Sequence, residues 1–184
     1  PRTFHPGDTA APTTGGDVVF VGRTRTHGPR AVVMDALAAG IDVRVWGDLW
    51  ERYIPERHIV AEYLPNDQLS ALYRSAGVVL SDHHEDMGRE GFVANRLFDA
   101  VASGARVVSD PVEGIDELFG GAVQVYESLD DLRRLTSPEG IREAFPQPPE
   151  LLGIARRVIE EHSFQRRAAT ILADVLEVWK AGHE

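Results

Sequence analysis

One rhythm constrains this chain more than any other feature. Short runs rich in β-branched residues recur at residues 18–21, 41–46, 58–61, 77–80, 105–108 and 122–126, each four to six residues long. Apolar runs of that length suit strands buried on both faces. The stretches between them carry helical spacing. Residues 31–39 stop at Gly40, and 93–103 stop at Gly104. Glycine fits the left-handed position that follows a helix. Residues 66–75 place Leu69, Leu72 and Tyr73 on one face, with Asn66 or Asp67 as the cap. Strands alternating with helices need crossover connections. They predict an α/β fold, a Rossmann-like doubly wound parallel sheet of about six strands.

The two ends depart from this rhythm. Residues 1–16, rich in Pro, Gly, Thr and Ala, read as an interdomain linker. A start on Pro1 rather than Met reads as a fragment or a processed chain. Pro146, Pro148 and Pro149 interrupt the far end, and two helical segments follow at 150–161 and 163–181. The expected organisation is therefore a linker at 1–16, a sheet domain at 17–145 and C-terminal helices at 146–184. Leu172, Val175, Leu176 and Trp179 form an apolar stripe. It packs either on the sheet domain or on an absent partner domain.

Composition narrows the function. The net charge is −10, so the basic face that nucleic acid requires is missing. A chain without cysteine has no disulfide, no thiolate metal site and no cysteine nucleophile. No apolar run reaches the roughly 18 residues of a membrane span, and no secretory signal is visible. The expected location is cytoplasmic, with peripheral association at the inner membrane face as a variant.

Doubly wound sheets bind ligands at the carboxyl ends of their strands, where strand order reverses. Two loops meet that condition. The first, residues 22–30, holds Gly22, Gly28, Arg23, Arg25 and Arg30, and a helix follows it. Arg23 and Arg30 hold a diphosphate there, or the loop is simply a solvated basic turn. It matches neither a dinucleotide fingerprint nor a Walker loop. The second, residues 81–92, is polar and crowded with Asp82, His83, His84, Glu85, Asp86 and Glu90. It binds a ligand, coordinates a metal through its histidines and acids, or is a solvated acidic loop. Neighbouring histidines point apart in most backbones, which disfavours the metal, and no metal is expected. Asn95 and Arg96 fall in the first turn of the following helix and Asp99 one turn later, where its carboxylate can accept from sugar hydroxyls. Trp46 and Trp50 either border the site or fill the core. Tyr63-Leu64-Pro65 either seats a nucleobase or is a plain turn.

These residues resemble a known family. Val19-Phe20-Val21-Gly22-Arg23 with its basic loop is similar to the donor-phosphate loop of family 4-type glycosyltransferases. Glu90-Gly91-Phe92 followed by Leu97-Phe98-Asp99-Ala100-Val101-Ala102-Ser103-Gly104 resembles their acidic signature. Asp82-His83, the run from Gly91-Phe92-Val93-Ala94-Asn95-Arg96 to Asp99, and Val108-Ser109-Asp110 resemble the bacterial branch related to spore-maturation glycosyltransferases. The resemblance covers about residues 17–135. It implies one half of a GT-B fold, whose C-terminal domain binds a nucleotide diphosphate sugar with UDP or GDP as the carrier. The N-terminal domain and a hydroxyl acceptor are the implied partners, and no cofactor is needed. By carry-over, Arg23 and Arg30 stabilise the leaving diphosphate and Asp99 holds the ribose. Gly22, His83, Glu90, Gly91, Phe92, Val93, Asn95 and Arg96 line the donor, with Tyr63 and Leu64 near the base. Three departures stand out: the second acid is the shorter Asp99, its spacing from Glu90 is one residue longer than the common pattern, and the phosphate-loop lysine is absent. The alternatives are a GT-B-type nucleotide-sugar epimerase or hydrolase, and a non-catalytic binding module.

Overall fold

A computed structural model describes residues 3–7, 16–26 and 28–181. Most of the linker expectation and His27 of the basic loop lie outside these residues.

Six parallel strands form one sheet: β1 (Val18–Val21), β2 (Val43–Trp46), β3 (Ile59–Ala61), β4 (Val78–Ser81), β5 (Val107–Ser109) and β6 (Val123–Val125). Their order is β3-β2-β1-β4-β5-β6. Every sequence-predicted strand is present, trimmed by up to two residues at either end or shifted by one or two. The side chains alternate between two cores. Val18, Phe20, Val43, Val45, Val78 and Leu80 face one layer, with α1 (Ala31–Ala38), α6 (Leu129–Thr136) and α7 (Pro138–Ala144). Val19, Val79, Val107 and Val123 face the other, with α2 (Asn66–Ser75), α4 (Asn95–Ala102), α5 (Ile115–Phe119) and α8 (Pro148–His162). The central strands β1 and β4 feed both layers and carry no exposed residue, which is why they read as apolar runs.

Between β1 and β4 the chain reverses its direction of travel across the sheet. Strand β1 pairs with β2 over all four residues, but with β4 only at Val18–Val78 and Val19–Val79. The carboxyl ends of β1 and β4 therefore part, and a crevice opens between them.

Several local expectations are corrected. Pro65, not Asn66 or Asp67, precedes α2, and no side chain caps that helix. The helix after the acidic loop begins at Asn95 rather than Val93, because Ala94 remains extended. The 81–92 loop contains a short helix, α3 (Glu85–Arg89), closed by Gly91 at φ +70°. Gly40 and Gly104 do adopt the left-handed conformation, at φ +75° and +82°. The stripe on α9 (Phe164–Ala181) does not pack on the sheet domain: no residue of that helix is buried. Of the N-terminal segment, the described residues 3–7 lie against the domain. The His5 carbonyl accepts from Ser70 Oγ (3.2 Å) and Arg74 Nη1 (3.0 Å), and Phe4 joins the α4–α8 core.

Candidate functional site

The crevice at the β1–β4 switch point gathers a charge network from segments far apart in sequence. Asp82, the first residue after β4, is buried. Arg30 donates to its Oδ1 and to its carbonyl (2.9 Å), and Arg25 donates to its Oδ2 (3.2 Å) and to the His83 carbonyl. Two guanidiniums thus lock the basic loop onto the acidic one. A tight bridge between Arg25 and Gly28 holds the loop's shape. Arg30 is committed inward by this pairing. Arg23, by contrast, is exposed at the mouth.

His83 forms a second knot. Its side chain is 1% exposed, and Nδ1 lies 2.6 Å from Asp110 Oδ1. Its backbone amide also donates to both Asp110 oxygens, at 3.1 and 3.0 Å. Burial alone would raise the Asp110 carboxyl. The His83 hydrogen bonds, with help from Ser109, outweigh it and hold Asp110 below the usual carboxylate range. His84 points elsewhere and is exposed. Among the described residues no group of three metal-ligating side chains converges.

Helix α4 supplies the third part. Its first turn has no side-chain cap; the Leu97 amide donates back to the Ala94 carbonyl (3.0 Å), and those of Asn95 and Arg96 precede it. Arg96 projects from that turn beneath the β1 loop: a methyl on Gly22 would fall 2.9 Å from Arg96 Nη2. Phe20 lies against two guanidiniums, those of Arg30 and Arg96, at 5.4 and 5.3 Å. Burial lowers the Arg96 pKa from its ordinary value. Asp99, one turn on, has its carboxyl raised to about 6 by burial, against the opposing pull of Arg96. Tyr73 of α2 completes this group, its phenol raised by burial.

Five buried polar atoms here have no partner among the described residues: Arg25 Nε, Arg30 Nε, Arg96 Nη1, His83 Nε2 and Ser81 Oγ. Buried donors are almost always satisfied in folded proteins. Their concentration at one crevice makes it the candidate site.

The remaining sequence-predicted residues lie further out. Glu90, Gly91 and Phe92 are exposed after α3, with Glu90 paired to Arg89. Val93 and Asn95 lead into α4. Tyr63 is 73% exposed, whereas Leu64 packs on the core. Trp50 is fully buried, so the core reading holds for it, yet its indole donates to the Gly22 carbonyl (2.7 Å) and so also steadies the site. Sequence reasoning missed Arg25, Tyr73 and the Asp110–His83 contact. Arg25 lay within the recognised loop, but nothing local distinguished it from Arg23.

No curated protein matches the chain. Among solved structures, it is similar to AviGT4, a glycosyltransferase involved in avilamycin A biosynthesis, at 20% identity and a TM-score of 0.52. That likeness covers 90% of this chain and 54% of AviGT4, and it concerns the fold. The glycotransferase of kitacinnamycin is matched at 18% identity and a TM-score of 0.47, over 92% of this chain and 46% of that one. The chain thus spans about half the length of these structures. No helix among the described residues is long and apolar enough to cross a membrane. The glycosyl transferase-like family model matches residues 25–173, most of the chain, and the chain belongs to that family.

Proposed function

We propose that this chain is the donor-binding half of a GT-B glycosyltransferase, and that the β1–β4 crevice holds a nucleotide diphosphate sugar. The observation that carries this reading is the set of unpartnered buried donors between Gly22 and the open start of α4. An anion there meets Arg96 Nη1, the helix-start amides and the exposed Arg23. Arg30 acts as a positioning residue, holding Asp82 so that the loop keeps its shape. Asp99 accepts from the ribose hydroxyls. Glu90, Gly91 and Phe92 face the donor sugar, while Tyr63 and Leu64 border the base.

In the transfer, the bond between the anomeric carbon and the diphosphate oxygen breaks. A bond from that carbon to an acceptor hydroxyl forms, and the hydroxyl proton passes to a base on the partner domain. Charge grows on the departing diphosphate, and the cationic crevice stabilises it. Each such donor group typically contributes about 10²–10³ in rate. The exposed stripe of α9 docks on that N-terminal domain.

Calorimetry with UDP, GDP and TDP sugars tests the reading. The folded chain alone binds one of these and does not turn it over. Failure to bind any of them removes the donor site. If a nucleotide sugar binds but Arg23→Ala and Asp99→Asn leave both its affinity and the activity of the full-length enzyme unchanged, the non-catalytic module reading replaces it.

A further inference from the structure

Beside the crevice, on the β1–β2 side, lies a second cleft of about 310 Å³. Arg23, Arg25 and Arg52 line it, Thr26 and Tyr53 add hydroxyls, and Leu49 forms its rim. No carboxylate lines it, in a chain of net charge −10. Asp82 partly neutralises Arg25, but Arg23 and Arg52 form no ion pair among the described residues. Arg23 and Arg52, paired with no acid among the described residues, and the partly neutralised Arg25 leave the cleft net positive, an arrangement that an anion relieves.

The cleft is built rather than incidental. The backbones of its two loops touch: a methyl on Gly47 would fall 2.2 Å from the Gly22 carbonyl oxygen. Gly22 N donates to the Trp46 carbonyl (2.7 Å), Thr24 N to that of Asp48 (3.3 Å), and Trp50 Nε1 to that of Gly22 (2.7 Å). Leu49 is the one non-glycine residue with positive φ among the described residues, at +65°. That conformation brings the Cβ of an L residue too close to the following carbonyl oxygen and is strained. Leu49 is also exposed, so core packing does not compel it. The strained turn leads directly into Trp50–Arg52, which presents Arg52 and Tyr53 to the cleft.

We propose that this cleft is a second anion subsite, which holds a phosphate or carboxylate group of the acceptor. Its volume sits at the small end of ligand pockets, room for an anionic group and part of the sugar or polyol bearing it. Tyr53, 40% exposed, offers a ring face and a hydroxyl to that body. The cleft shares Arg23 with the donor crevice, so an acceptor anchored here lies next to the departing diphosphate. The assignment to the acceptor rests on the donor-site reading; the anion subsite itself does not.

Inorganic phosphate, titrated at low ionic strength into ¹⁵N-labelled protein and followed by amide shifts, tests it. Phosphate binds with or without a saturating nucleoside diphosphate, moving the amides of residues 49–53. Arg52→Ala weakens it about fivefold or more, the loss of one charge-assisted contact. Tyr53→Phe weakens it less. Three results overturn the subsite: no binding at millimolar phosphate, full displacement by the nucleotide, or an Arg52→Ala protein that binds as well as the parent. Phosphate binding that depends on Arg52 in a protein that binds no nucleotide keeps the subsite and removes only the donor reading.

Discussion

Helices α4 and α9 carry similar sequence signals and meet opposite fates. Both place apolar residues at helical spacing. Helix α4 buries Leu97, Ala100, Val101 and Ala102 against the sheet and α8, and from its other side presents Arg96 and Asp99 to the crevice. Helix α9 leaves Ile171, Leu172, Val175, Leu176 and Trp179 all more than 45% exposed. An apolar stripe says that a helix has a partner, not which one. In α4 the partner is this domain's own sheet, which fixes the helix and with it the positions of Arg96 and Asp99. In α9 no residue is buried, and the proposal assigns the stripe to the other half of the protein.

The contrast can be broken by mutation. Asp82, which ties the β1 loop to the end of β4 next to α4, should give the largest effect. Asp82→Ala leaves Arg25 and Arg30 facing each other without their counter-charge. Breaking a buried pair in this way costs about 3–5 kcal/mol, and denaturant unfolding should show a loss near that range. Leu97→Ala, a cavity in the buried face of α4, should cost about 3 kcal/mol by the same measurement. In a domain of this size that lowers Tm by roughly 6–12 °C. An effect below about 1 kcal/mol at Leu97 would erase the distinction between the two helices.

Asp99 sharpens the comparison on the functional face. Its folded pKa, raised to about 6 by burial, stands above the ordinary aspartate value of about 3.9. The folded state therefore holds its proton to higher pH than the unfolded state does. The linked stability is fully present below about pH 4 and is lost as pH rises through 6. Asp99 is only half-buried, so solvent screening reduces the effect to about 1 kcal/mol. Asp99→Asn should flatten that part of the stability–pH curve and raise stability slightly at pH 8. It should also weaken nucleotide binding at that pH, since an ionised carboxylate is the better acceptor for ribose hydroxyls. The parent's affinity should fall between pH 7 and pH 5, and the variant's should not. Smallest of all are changes on α9: Leu172→Ala and Val175→Ala should each shift stability by less than about 0.5 kcal/mol. A larger loss would mean that the stripe is already covered within this chain.

The sheet was legible in the sequence because strands buried on both faces have no polar register to disguise them. The short helices were less so. Helices α5, α6 and α7 were missed, although Ser128 and Ser137 accept from the amides of Asp131 and Gly140 as N-caps. The Ser128-x-x-Asp131 spacing was the available signal. The basic and acidic loops were found by position at the strand ends. Their interlocking was not, because Arg25 and Arg30 reach Asp82 across 57 and 52 residues, a proximity that only the β1–β4 pairing creates. The inward commitment of Arg30 follows from that pairing and could not be read from a loop in which every arginine looks alike.

The most direct measurement maps the nucleotide itself. With the nucleoside diphosphate that binds, amide shifts in ¹⁵N-labelled protein should be largest at Gly22–Thr26 and Phe92–Arg96, and Arg96→Ala should weaken binding about tenfold or more. Shifts centred instead on the apolar groove between Phe4, Phe98 and His162, with Arg96→Ala binding as well as the parent, would contradict a donor site at the β1–β4 crevice.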